Sequence, residues 1–247
     1  MNTEFITFLV LGALAGGFIN GLSGTGTALF ALGFFLAVLE PMQAVAIVAL
    51  MSVLAGFQGA WIVRREILAQ PKRLLRFLVP GLVGVPIGLS LLAVIDASTL
   101  RIAIAALLII YGCYFGFRAA LPAFSRHTPW IDGAVGLTGG VFGGAAAVSG
   151  AIPSMWLSIR PWTKSETRAV LQPFNIAILG TTIILLAVQG AFDSQALQAL
   201  VITIPTGLIA AQIGIAVFRR LSDTGFRRLL IILTLLMGIG IMTSELF

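Results

Sequence analysis

A run of glycines and small polar residues, Asn20–Thr27 (NGLSGTGT), interrupts a long apolar stretch near the start of the chain. A second run, Gly143–Gly150 (GGAAAVSG), interrupts another apolar stretch in the second half. Within a lipid bilayer, irregular backbone persists only where protein or a water-filled cavity satisfies its free N–H and C=O groups. Two such breaks at corresponding places in two halves of a chain are typical of a transport site.

High hydropathy and low charge extend over almost all of the 247 residues. Charged residues make up 10% of the chain, whereas a soluble domain carries about 25%, and the mean hydropathy is +1.07. This composition excludes a soluble enzyme. The first apolar segment, Phe5–Phe18, lacks a basic region and a small-residue cleavage site, so we interpret it as a membrane segment and not a signal peptide. We expect the lipid bilayer to surround nearly the whole protein.

The apolar segments predict an all-α polytopic membrane protein with two repeats, residues 1–120 and 130–247. Each repeat is a glycine-broken hairpin followed by three transmembrane helices. The arms beside the first break have about 15 and 12 residues, against about 20 for a span, so we interpret the hairpins as re-entrant or short. A polar connector at 121–129, which contains His127, separates the repeats. The predicted hairpins are 5–39 and 131–159, and the predicted spans are 44–63, 74–94, 100–117, 169–188, 197–217 and 229–242.

Several residues recur in the second repeat at nearly the same separation. Gly88, Arg101 and Gly112 are each followed by the same residue type 126 positions later. These recurrences support an internal duplication. The alternative is that glycine-rich membrane segments align by chance.

The distribution of basic residues predicts the topology. If each broken pair is a hairpin that returns to the side it entered, fourteen of the fifteen Lys and Arg residues fall on one side and Arg101 falls on the other. If each pair crosses once as a single helix, the split is seven against eight. The positive-inside rule favours the hairpins. Both termini then lie in the periplasm of a bacterial inner membrane, and the second repeat is inverted relative to the first, a common plan of secondary transporters.

Residues suited to catalysis or metal binding are scarce. Cys113 is the only cysteine and His127 the only histidine, and they lie on different predicted elements. We therefore predict no catalytic residues, no metal site and no cofactor. One alternative class is a membrane-embedded enzyme, which would need a nucleophile with a base or a metal cluster. The net charge of +6 comes from bases in short loops. Such bases are topology signals facing anionic lipid, so we expect no nucleic-acid partner.

The nine acidic residues all fall at segment ends or in loops of the predicted layout. Proton-coupled carriers usually keep a carboxylate or histidine within the bundle. We therefore expect no carboxylate relay, which favours movement of the substrate down its own gradient. A cation transporter or channel is the second alternative class, and it is weakened because the segments supply no acidic ring.

The breaks that open the repeats, Gly24-Thr25-Gly26-Thr27 and Gly143–Gly150, the two-repeat layout and the short loops resemble the TauE/SafE family of sulfite and organosulfonate exporters. The resemblance extends over essentially the whole chain. It implies a membrane transporter whose partner is a small anionic substrate, sulfite or an organosulfonate, with export as the direction. Both breaks depart from a full glycine triplet, which leaves the particular oxyanion open, and the residues alone predict only a small anion.

We expect this anion to bind between the two breaks. A helix that begins at mid-depth directs its unpaired N–H groups and the positive end of its dipole into the protein, which suits an anion. Thr25 or Thr27 is predicted to cap the second arm of the first hairpin, and Ser149 or Ser154 that of the second. The alternative is that these small residues serve close helix packing.

The helix at 169–188 is predicted to add polar side chains to the same site. Gln172 and Asn175 share a helix face, and Pro173 between them predicts an irregular backbone, since proline frees a carbonyl one turn back. Their alternative role is interhelical hydrogen bonding. The candidate substrate-binding residues are Asn20, Ser23, Gly24, Thr25, Gly26, Thr27, Ser52, Ser149, Gly150, Gln172 and Asn175.

Overall fold

The structure of the protein, a computed structural model, describes residues 3–91, 97–116, 124–126 and 128–246. Within these ranges the chain forms eleven α-helices and no strand. The helices are α1 (Thr3–Ser23), α2 (Thr27–Leu36), α3 (Pro41–Ile62), α4 (Arg64–Ala69), α5 (Pro71–Leu91), α6 (Ala97–Gly116), α7 (Pro129–Ala146), α8 (Ala151–Ser158), α9 (Lys164–Val188), α10 (Ser194–Arg220) and α11 (Asp223–Leu246).

Five of these helices, α1, α3, α5, α9 and α10, are long and apolar enough to cross a membrane. The predicted all-α polytopic membrane fold is therefore confirmed. The last predicted span of each half corresponds to α6 and α11, which have 20 and 24 residues. The ends of the predicted spans 74–94 and 100–117, and His127 of the connector, lie outside the described residues.

The first arm of the first hairpin is longer than predicted. Helix α1 has 21 residues and continues through Asn20 to Ser23, so the prediction of a half-helix is wrong for this arm. Gly21 stays helical because it packs against α10, where a methyl group placed on it would lie 2.0 Å from the carbonyl oxygen of Ala211. Helix α2, with 10 residues, is short as predicted.

Polar first turns extend two other helices beyond their apolar segments. Helix α9 begins at Lys164, not at Ala169, because Thr163 and Glu166 form a capping box in which Glu166 Oε2 accepts from the Thr163 N–H at 2.9 Å. Helix α3 begins with the corresponding contact 123 positions earlier, where Gln43 Oε1 accepts from the Glu40 N–H at 3.1 Å. Hydropathy alone does not detect such turns.

Glycines allow each hairpin to pack closely on a helix of the other half. A methyl group on Gly17 of α1 would lie 2.3 Å from the oxygen of Gly207 in α10. On the opposite side, a methyl group on Gly140 of α7 would lie 1.9 Å from the oxygen of Gly81 in α5. The first hairpin thus packs on a helix of the second half, and the second hairpin packs in the same way on a helix of the first half.

Two further helix pairs between the halves, α3 with α9 and α6 with α11, are antiparallel. Gly59 near the end of α3 faces Arg168 near the start of α9. Gly112 of α6 faces Leu235 of α11, and one turn later Gly116 approaches Ile231, so these helices also run in opposite directions.

Each break lies beside the middle of a long helix. Ser52, midway along α3, donates to Thr27 Oγ1 at 2.6 Å. Ser149 donates to Oδ1 of Asn175, midway along α9, at 2.5 Å. Helices α2 and α8 have 10 and 8 residues, or about 15 and 12 Å at 1.5 Å per residue. Helix α2 thus has 10 residues beside the 22 of α3, and α8 has 8 beside the 25 of α9.

Basic side chains gather at one end of the bundle, which we call the basic end. There Arg73 pairs with Glu166 and Arg160 pairs with Asp132, each at 2.8 Å. A cavity of about 540 Å³, the basic vestibule, opens at this end; its basic lining residues are Lys72, Arg73, Arg76, Arg126 and Arg160, and Asp132 also contributes. The opposite end carries the first turn of α3, where Gln43 donates to Asp193 at 2.8 Å.

We expect Gly140→Ala to destabilise the fold by roughly 1–3 kcal/mol, the usual cost of overpacking, because the new methyl group meets the backbone of Gly81. Gly180→Ala is the matched control, since nothing lies within 4 Å of a methyl group at that helical position. Melting temperatures of the purified variants in detergent test this. Equal melting temperatures for the two variants would contradict the close α5–α7 contact.

Candidate functional site

Two left-handed glycines form the first break. Gly24 has φ of 88° and Gly26 has φ of 94°, a conformation that glycine adopts without steric cost. The Ser23 hydroxyl lies within hydrogen-bond distance of two nearby backbone oxygens, that of Ile19 at 2.9 Å and that of Thr25 at 2.7 Å. Ser23 therefore closes the end of α1, and the chain reverses into α2.

The second break is shorter than predicted. Gly143 and Gly144 remain helical, and α7 ends only at Ala146, followed by Ala147 with φ of 55°. The Val148 N–H bonds to the Phe142 oxygen at 3.2 Å, as in a Schellman ending. Gly143 serves packing, since a methyl group there would lie 2.2 Å from Ile178.

The hydroxyl groups predicted to cap the second arms do not do so. The residues preceding α2 and α8 are Gly26 and Gly150, and neither helix has a side-chain cap. The Thr27 and Ser149 hydroxyls instead bond to neighbouring side chains. The first N–H groups of these two helices, whose first residues are buried, are thus left without a side-chain acceptor, and water or a ligand can satisfy such groups.

Asn20 connects the first break to both long central helices. Its Nδ2 donates to Thr27 Oγ1 at 2.8 Å and to Ser52 Oγ at 3.2 Å, and its Oδ1 accepts from Gln172 Nε2 at 3.3 Å. All four side chains are buried. The predicted residues Asn20, Thr27, Ser52 and Gln172 therefore form one hydrogen-bonded cluster.

The two breaks touch each other. Gly150 lies so close to Thr25 that a methyl group on it would be 1.7 Å from Thr25 Oγ1. Beside this contact lies a small cavity of about 10 Å³, the break cavity, which is room for about one water molecule. Its lining includes Thr25, Gly26, Thr27, Ser52, Gly150 and Asn175, drawn from both halves of the chain.

Asn175 carries the free donor of the break cavity. Its side chain is 2% exposed, its Oδ1 accepts from Ser149, and its Nδ2 has no hydrogen-bond partner among the residues that the structure describes. A buried amide N–H without an acceptor is costly. The site therefore has a buried donor without an acceptor among the described residues.

Arg168 was missed by the sequence reasoning, which placed it in a loop. It lies in α9 on the same face as Gln172 and Asn175, and its Nε donates to Gln172 Oε1 at 3.2 Å. The spacing of four and seven residues was the available signal, but the predicted span began after Arg168. Pro173 does not interrupt α9, so the predicted irregular backbone is wrong.

A model of the family described as sulfite exporter TauE/SafE matches residues 8–241. The chain belongs to the TauE/SafE family. The match includes both breaks and all of the candidate site residues. No curated protein and no solved structure matches the chain. Family membership, with the five apolar helices, makes this protein a multi-pass membrane transporter of the class that carries sulfite or related anions.

One acidic residue of this TauE/SafE protein lies deeper than expected. Asp132 is in the first turn of α7 and is 2% exposed. It accepts from Arg160 Nη2 and from Trp156 Nε1, each at 2.8 Å. This carboxylate is therefore engaged in a structural ion pair at the basic end and does not line the break cavity.

We expect Gly150→Ala to force the breaks apart and to destabilise the protein by roughly 1–3 kcal/mol, as overpacking does. Gly150 has φ of −87°, which alanine adopts freely, so the effect is steric. Gly33→Ala is the control, because a methyl group there has no neighbour within 4 Å. The measurement is the melting temperature of each variant, and a Gly150→Ala protein as stable as the parent would show that the breaks are not held in contact.

Proposed function

We propose that this protein transports a small sulfur oxyanion, sulfite or an organosulfonate, which binds between the two breaks. One observation carries the proposal: the N-termini of α2 and α8, neither capped by a side chain, meet at a cavity where Asn175 has a free donor. Each helix N-terminus carries roughly half a positive charge. Backbone N–H groups at such ends are suited to oxyanions.

Among substrates, a cation fits this site poorly. The polar groups at the break cavity are hydroxyls, helix N-termini and an amide, and no carboxylate of the described residues lines it. The nearest buried charge in α9 is Arg168, which repels a cation. We propose transport and no enzymatic activity, in keeping with the family.

We further propose that residues 1–120 and 130–247 are inverted repeats. The supporting observations are the exchanged glycine contacts, α1 with α10 and α7 with α5, and the antiparallel course of α3 with α9 and α6 with α11. Inverted repeats allow two similar halves to rock about a central site and to expose it alternately on each side. The break cavity lies where the halves meet.

The basic end faces the cytoplasm in this proposal, because basic loops are retained there. Both termini then lie in the periplasm of a bacterial inner membrane. The basic vestibule attracts anions on the cytoplasmic side, which suits export. The break cavity, at about 10 Å³, holds about one water molecule, so the two breaks must separate before an oxyanion binds.

A thermal-shift screen tests the function, since a ligand stabilises the state that binds it. We expect sulfite or a short alkanesulfonate to raise the melting temperature of the purified protein, and chloride at the same ionic strength to leave it unchanged. At one hundred times Kd the stabilisation is about 2.7 kcal/mol. A protein that responds to none of sulfite, sulfonates, sulfate and thiosulfate would contradict anion transport.

Asn175→Ala tests the site. It should weaken the affinity for the anion by about ten- to a hundredfold, as expected for loss of a hydrogen bond to a charged group. Gln198→Ala, at an exposed position of α10, is the control. Titrations followed by melting temperature give both affinities. An unchanged affinity in Asn175→Ala would show that Asn175 of α9 does not bind the anion.

Cysteine labelling tests the topology in a Cys113→Ala background, because Cys113 is exposed. We expect Thr3→Cys and Ser194→Cys to react with a membrane-impermeant thiol reagent added to intact cells with a permeabilised outer membrane. Gln70→Cys and Thr224→Cys should react only after the inner membrane is opened. Labelling of Gln70→Cys and Thr224→Cys from opposite sides would refute the inverted arrangement.

A further inference from the structure

Arg168 is a fully buried cation without an anionic partner. Its exposure is 0%, and Nη1 and Nη2 have no hydrogen-bond partner in the part of the chain that the structure describes. Only Nε is engaged, with Gln172, while the guanidinium lies 4.3 Å from the centroid of the Phe218 ring. No described carboxylate lies within ion-pair distance of it.

Arg160, which is also deeply buried, has the partners that a structural arginine needs. Arg160 pairs with Asp132 at 2.8 Å and also donates to the Thr128 hydroxyl and to the backbone oxygen of Phe124. Burying a charge without such partners costs folding free energy. Arg168 therefore contributes little to stability, and ionisable residues inside a membrane bundle are functional candidates by default.

The surroundings of Arg168 are shaped to hold its side chain. A methyl group on Gly59 would lie 2.7 Å from Arg168 Nη2 and 2.5 Å from Gln172 Oε1. Gly24, in the first break, approaches Gln172 Oε1 in the same way, at 2.8 Å. Two glycines from the first half thus make room for a polar pair from the second half. Arg168 precedes Asn175 by seven residues, about 10 Å along the helix, toward the basic end.

We propose that Arg168 forms a second anion-binding station, on the basic-end side of the break cavity, where Nη1 and Nη2 bind two oxygens of the transported oxyanion. Guanidinium groups bind oxyanions through paired, charge-assisted hydrogen bonds. This inference rests on the proposed function and adds a charged group to a site that otherwise contains only neutral donors. The anion passes between Arg168 and the break cavity along the face that carries Gln172.

The station has no counterpart in the other half. The positions 123 residues before Arg168 and Gln172 are Val45 and Ala49 of α3. These side chains pack with Leu179 and Ile183 of α9 in an apolar cluster. The route is therefore polar and cationic toward the basic end and apolar toward the opposite end. Under the proposed topology, the station faces the cytoplasm.

Arg168→Met and Arg168→Lys test the station with sulfite and a short alkanesulfonate as probes. We expect Arg168→Met to weaken the anion-induced rise in melting temperature so that at least tenfold more anion is needed. Arg168→Lys, which keeps the charge without the paired donors, should retain part of the affinity. Without anion, Arg168→Met should melt at the same or a higher temperature than the parent, because it removes an unpaired buried charge.

Arg219→Gln is the matched control, since it removes one positive charge from an exposed position and should bind as the parent does. If the parent responds to the anions and Arg168→Met responds equally, the station is refuted and the proposed function stands. If Arg168→Met fails to fold or melts lower without anion, or if Arg168→Lys binds no better than Arg168→Met, Arg168 is not an anion station. A parent that responds to no anion refutes the proposed function itself.

Discussion

The contact between the two breaks, Thr25 against Gly150, is the feature on which the centre of the molecule depends. Irregular backbone within a membrane persists only where it is buried in protein or lines a water-filled cavity, and the two breaks pack against each other across the two halves. Only glycine at position 150 permits this approach. As a result the N-termini of α2 and α8 face the break cavity, and each brings a partial positive charge to it. The polar side chains of Ser52 in α3 and Asn175 in α9 line the same cavity.

Glycine contacts between helices hold this arrangement in place. The first arm of each hairpin packs on a long helix of the other half, α1 on α10 and α7 on α5. Neither half therefore buries its own hairpin alone. Because these contacts join backbone to backbone, α10 packs directly on the arm that leads into the first break, and α5 packs directly on the arm that leads into the second.

The buried charges follow a consistent pattern. Asp132 is neutralised by Arg160 near the basic end, so this pair places no net charge in the interior. Arg168 has no anionic partner within the described ranges and lies beside neutral hydrogen-bonding groups. Under the proposed function, this positive charge and the unsatisfied donors favour anions over cations. The bases of the vestibule add further positive charge at the basic end.

The sequence by itself determined the membrane class, the helical fold, the two breaks and the polar residues that meet beside them, because composition, glycine runs and helical spacing are local properties. Tertiary structure alone decided where α1 and α7 end, since Gly21 and Gly143 remain helical through contacts with distant helices. It also decided the role of Arg168. From sequence, a charged residue at the edge of an apolar segment is interpreted as a loop residue. In the structure, Gly24 and Gly59 approach Arg168 and Gln172, and Arg168 is buried inside the bundle. Burial of this kind depends on residues far away in the chain, so the sequence pattern does not show it.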